Sequence, residues 1–103
     1  MKKVLVVGGS GFIGKHICLY AIKNDWEVTS ISRRKNSLVQ SSICCDLSCK
    51  TVILNGSYDL IIHAAGASKS DKKAIEYFKG NILLTENLIN SLPSDFNGKI
   101  IYL

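Results

Sequence analysis

Four of the seven residues in Gly8-Gly9-Ser10-Gly11-Phe12-Ile13-Gly14 are glycine. The string fits both Gly9-x-Gly11-x-x-Gly14 and Gly8-x-x-Gly11-x-x-Gly14. Between a strand and a helix, such spacing lets an anionic pyrophosphate reach backbone N–H groups at the helix start, where unpaired donors and the helix dipole favour negative charge. Gly8 is expected to make the tight turn, Gly11 to leave room for the phosphate and Gly14 to let the helix pack on the sheet. Phe12 and Ile13 stand at the helix start, where those amides are.

A second candidate site is Ser32-Arg33-Arg34-Lys35, about 20 residues further on, where a site for NAD usually places an acid to bind the ribose 2′-hydroxyl. No carboxylate stands there. An arginine fork can hold a 2′-phosphate through paired charge-assisted bonds, so these residues favour NADP over NAD. Arg33 is nearest the strand end, Arg34 is next, and Ser32 is a candidate hydroxyl donor. The alternative is a solvated basic loop.

The elements that must position these residues follow from apolar patterning. Val4-Leu5-Val6-Val7 reads as a strand buried on both faces. Residues 12–24 carry Ile13, Ile17, Tyr20 and Ala21 at helical spacing. A second strand is expected over 26–31, an irregular connection over 32–40 and a short third strand at Ile43-Cys44-Cys45. Residues 47–56 are ambiguous. Leu60-Ile61-Ile62 is a fourth strand ending in Ala64-Ala65-Gly66, residues 71–92 form a helix before Pro93, and residues 99–103 form a fifth strand. This alternation implies an α/β fold, a doubly wound parallel sheet of Rossmann type ordered 3-2-1-4-5.

With 103 residues there is room for one domain and no second, substrate-binding one. An apolar fraction of 47% argues for a folded chain. No signal peptide and no apolar stretch of membrane-spanning length is present, which points to the cytoplasm. The net charge of +5 comes from scattered cations without interleaved aromatics, so an anionic cofactor explains it better than nucleic acid does. Cys18, Cys44, Cys45 and Cys49 lack the paired spacing of a zinc site and read as free thiols.

The glycine string resembles the opening of the extended short-chain dehydrogenase/reductases, the NAD-dependent epimerase/dehydratase group. Downstream, Asp46-Leu47 resembles the acidic-Leu pair that reads the adenine in that family, although Asp46 also suits a helix N-cap. Asp59-Leu60-Ile61-Ile62-His63-Ala64-Ala65-Gly66 is similar to its fourth-strand segment. The resemblance implies that Ala64, Ala65 and Gly66 line the adenine ribose and nicotinamide side. His63 also reads as a plain strand-end histidine. Asn81 with Thr85-Glu86-Asn87-Leu88-Ile89 is similar to the family's Asn-x-x-Gly-Thr-x-Asn-Leu-Leu helix, with Leu84 in place of its glycine, and assigns Asn81 to the cofactor.

The family's catalytic parts, a Ser or Thr after strand 5 and a Tyr-x-x-x-Lys pair in which lysine lowers the tyrosine pKa, are not in this sequence. Four places after Tyr20, Tyr58 and Tyr77 stand Asn24, Ile62 and Asn81, and Tyr102 has no residue that far beyond it. No catalytic residue is assigned. The expectation is a single NAD(P)-binding domain over residues 1–103, cut after its fifth strand. Its parent would be an epimerase, dehydratase or reductase whose commonest substrates are nucleotide sugars. The alternative is a non-catalytic, dinucleotide-binding or redox-sensing member of the same superfamily. An uncovered fifth strand would also invite self-association.

Overall fold

The structure, a computed structural model, describes residues 2–9, 11–54, 56–65 and 82–103. Five strands, β1 (Lys3–Val7), β2 (Glu27–Ser32), β3 (Ser41–Cys44), β4 (Leu60–His63) and β5 (Lys99–Tyr102), form one sheet ordered β3-β2-β1-β4-β5. Every pairing is parallel, with Val4 opposite Val28 on one side and Leu60 on the other. The described helices are α1 (Phe12–Lys23) and α2 (Leu84–Ser91). The expected fold class and strand order are therefore those observed.

The side chains of β1 alternate between two cores. Leu5 and Val7 join Ile31, Leu47, Leu54, Ile61 and Leu88 on the α2 face, whereas Val4 and Val6 join Cys18, Ala21 and Val28 on the α1 face. Burial on both faces is why the strand reads as an unbroken aliphatic run. At the sheet edge, β5 is exposed along its whole length, including Ile100, Ile101 and Tyr102.

Element boundaries differ from the sequence reading where hydrogen bonds outrank patterning. Strand β2 begins at Glu27 rather than Trp26, because the Trp26 amide donates to the Ala21 carbonyl at 3.0 Å and closes the end of α1. The intervening Asp25 adopts a left-handed φ of 63°. Strand β3 starts at Ser41 and ends at Cys44, since parallel pairing with Thr29–Ser32 sets its span, and its two serines hid that start. Residues 45–54 form no regular strand or helix, yet Leu47 and Leu54 are buried, so the segment is held by packing. It is also tied to α2: Asn87 Nδ2 donates to the Leu47 carbonyl at 2.6 Å and the Val52 amide to Ser91 Oγ at 2.9 Å. The expected helix over 71–92 is described as α2, and its earlier part lies outside the described residues.

Candidate functional site

In this order the chain leaves β1 for β2 on one side while β4 lies on the other, a topological switch point, and ligands of such sheets bind there, at the strands' carboxyl ends. The turn after β1 meets the turn after β4 there. Gly8 has φ of 85°, and a Cβ added to it would lie 2.8 Å from the Ala65 nitrogen. Its amide donates to the Ile31 carbonyl at 2.7 Å, anchoring the turn on β2 as well. Gly14 sits against the Gly8 carbonyl so closely that a Cβ would overlap it. The close packing expected of Gly14 is thus made with the turn itself.

Gly11 differs from both. It is the N-cap of α1, with φ of −76° and ψ of 175°, a conformation open to any residue. Among the described residues a Cβ there would meet only the Gly8 carbonyl, at 3.4 Å, an ordinary contact. The turn is therefore packed beneath and open at Gly11. Among the described residues no side chain caps the start of α1, and its first turn holds no acid. Amides at such an end need an acceptor, and Phe12 and Ile13 lie there with exposed side chains. The geometry can receive an anion.

The second candidate segment leaves β2 at the same end of the sheet. Arg33 and Arg34 are exposed, while Ser32 is buried and its hydroxyl donates to the Arg34 carbonyl, shaping the bend. The structure brings Asp46 to this region. Its carboxylate accepts the Ser48 amide at 3.0 Å and the Ser48 hydroxyl, and these bonds, the hydroxyl's above all, hold it below the usual carboxylate range, with Arg33 adding to the effect. Leu47 is buried in the core and presents no free side chain. Ala64 and Ala65 are partly buried beside Gly8. Gly66 and Asn81 lie outside the described residues.

Sequence reasoning missed Asn36, which is buried and reaches the Gly9 carbonyl, at 3.1 Å, from the connection read as an irregular loop. A lone asparagine in a polar stretch carries no periodic signal. His63 is also more than a strand end: it is 1% exposed, its Nε2 pairs with Thr85 Oγ1 at 2.9 Å, and its ring meets Tyr102 edge-on. Its Nδ1 is buried with no hydrogen-bond partner among the described residues.

Burial makes the His63 imidazole a weaker base than its ordinary value of 6.5. The unfolded chain then binds the proton more strongly than the folded one, so stability is full above that value and falls as pH drops below it. The slope is limited to roughly 1.4 kcal/mol per pH unit. Thermal melts from about pH 7.5 to 5 should show a falling Tm, and His63→Gln should flatten the curve. Parallel curves for the two proteins would assign the acid sensitivity to other groups.

Comparison with known proteins places this geometry in context. The family model described as NAD dependent epimerase/dehydratase family matches residues 4–103. Sterol-4-alpha-carboxylate 3-dehydrogenase, decarboxylating, of Dictyostelium discoideum is 35% identical over 101 aligned positions, covering 87% of this chain and 30% of that protein. UDP-glucose 4-epimerase of Halalkalibacterium halodurans is 26% identical over 111 positions, 96% of this chain and 33% of that one. Among solved structures, UDP-glucuronic acid 4-epimerase from Bacillus cereus in complex with NAD superimposes with a TM-score of 0.72 at 25% identity, covering 97% of this chain and 39% of that one. The chain spans about a third of the length of these curated relatives.

Proposed function

The chain belongs to the NAD dependent epimerase/dehydratase family, and from that premise we propose that it is the dinucleotide-binding amino-terminal portion of an NAD(P)-dependent epimerase, dehydratase or reductase. A nucleotide sugar is the proposed substrate class of the whole protein, supported by the UDP-glucose 4-epimerases among its relatives. One observation carries the binding assignment: the uncapped start of α1 faces a turn that is solid beneath Gly8 and Gly14 and open at Gly11. A pyrophosphate there would supply the acceptor that the first amides of the helix need. The bound nicotinamide would supply hydride transfer. This chain's own residues would hold the cofactor: the turn would bind the phosphates, the residues after β2 would flank the adenine ribose, Asp46 would border the adenine, and Ala64 and Ala65 would line the adenine ribose and nicotinamide side. Calorimetric titration with NAD and NADP tests the assignment, and no heat of binding for either would remove it.

Within that reading NADP is favoured. Arg33 and Arg34 are exposed, as is Lys35 beside them, and Ser32 serves by shaping their bend, since its hydroxyl is engaged with the Arg34 carbonyl. A charge-assisted bond of this kind is worth about 1.5 to 3 kcal/mol. Arg33→Ala should therefore weaken NADP about tenfold or more and leave NAD nearly unchanged. Equal loss for both cofactors, or tighter binding of NAD by the unmodified chain, would reverse the preference. The exposed edge of β5, with Ile100 and Ile101, is proposed as a surface for self-association. Sedimentation should show mass rising with concentration, and a concentration-independent monomer would rule it out.

A further inference from the structure

The glycine turn and the basic connection after β2 lie far apart in the chain, and one buried side chain joins them. Asn36 is 5% exposed. Its Nδ2 donates to the Gly9 carbonyl at 3.1 Å, approaches Ser30 Oγ at 3.4 Å and lies 4.0 Å from Cys18 Sγ. Its own backbone amide donates to Ser42 Oγ at 2.9 Å, and its Oδ1 accepts the Leu38 amide at 3.0 Å. A carboxamide carries donors and an acceptor on one planar group. Here the donor end serves the turn and the acceptor end folds the connection. Gly9 closes the fit, because a Cβ there would run into Ser30 and Asn36.

We propose that Asn36 is a positioning residue that locks the phosphate turn and the Arg33-Arg34 connection into one rigid unit. The pyrophosphate and the adenine ribose of a dinucleotide are then met at a set separation, although Asn36 need touch no cofactor atom. The ligand side of this inference rests on the dinucleotide reading above, whereas the coupling between the two segments does not. Neither segment can shift without breaking a buried hydrogen bond, the costly kind to leave unmade.

Two measurements test it. In the unmodified chain the amides of Gly11, Asn36 and Leu38, which bond the Gly8 carbonyl, Ser42 Oγ and Asn36 Oδ1, should exchange with deuterium through one shared opening. Opening of Asn36 and Leu38 some tenfold more often than Gly11 overturns the coupling. The second measurement uses Asn36→Asp, which keeps the acceptor for the Leu38 amide but turns an ionised oxygen on the Gly9 carbonyl. It should weaken NAD and NADP about tenfold near pH 8 and recover as acid protonates the carboxyl and restores a donor. Asn36→Ala should show the loss at every pH. Among the described residues the groups facing this site are the Cys18 thiol from α1, the Ser30 hydroxyl from β2, the Ser42 hydroxyl from β3 and the Gly9 carbonyl. Of these only the thiol titrates, and burial pushes it up and out of the range. Unchanged affinity in Asn36→Ala, or a loss in Asn36→Asp that ignores pH, overturns the proposal. If the unmodified chain binds neither dinucleotide, the functional reading falls and the exchange result alone decides the coupling. The exchange result likewise decides if the variants do not fold.

Discussion

Gly11→Val should abolish dinucleotide binding while leaving the fold intact. Gly11 has an extended backbone that valine adopts without strain, and among the described residues its added Cβ would find only the Gly8 carbonyl at 3.4 Å. No described residue stands in the way of a side chain there, and in the dinucleotide reading the glycine leaves room for the phosphate. The valine methyl groups would fill the space over the start of α1 through which a phosphate reaches its first amides. Displacing an anion from several charge-assisted bonds, each worth about 1.5 to 3 kcal/mol, weakens binding by a factor of a thousand or so. The measurement is calorimetry on a variant whose melting temperature stays within about 5 °C of the parent, roughly 1 kcal/mol for a domain of this size. Unchanged affinity would place the ligand elsewhere.

Gly14→Val should do the reverse and damage the fold before any ligand is considered. Its Cβ would overlap the Gly8 carbonyl and come within 2.9 Å of the Gly9 Cα, both backbone atoms that no rotamer change can move. Gly8 cannot yield, because its own amide is bonded to Ile31 and its Cα faces Ala65. Relief requires lifting α1 from the turn and loosening the core around Cys18, Ala21, Val4 and Val6. Overpacking against backbone of this kind costs about 3 kcal/mol, a drop in Tm on the order of 10 to 20 °C. A thermal melt of this variant beside Gly11→Val separates the two roles. A Gly14→Val protein that melts with its parent would mean that the helix and turn are not in contact as described.

That contrast was only partly visible in the amino-acid string. The glycine spacing, the aliphatic run Val4-Leu5-Val6-Val7 and the alternation of strand and helix are local patterns, and they were sufficient for the parallel sheet, its order and the location of the turn. The right-handed crossover rule leaves few ways to thread such a pattern. Which glycine is open and which is packed was beyond the string, because Gly11 and Gly14 share a residue type and differ only in neighbours brought from elsewhere in the fold.

The same holds for the remaining site residues. Asn36 bonds Gly9 across 27 positions, His63 pairs with Thr85 across 22 and Asn87 with the Leu47 carbonyl across 40. None of these partners is related by a helical or strand period, so no pattern announces them. Ser32 shows the limit most plainly: its hydroxyl looked available as a donor, and the fold spends it on the Arg34 carbonyl. The strand cores and the glycine turn were legible in the amino-acid string, because backbone freedom and apolar periodicity act over a few residues. Which polar groups are committed inside and which stay exposed depends on the tertiary fold, because nearly all buried donors find a partner wherever the folded chain brings one.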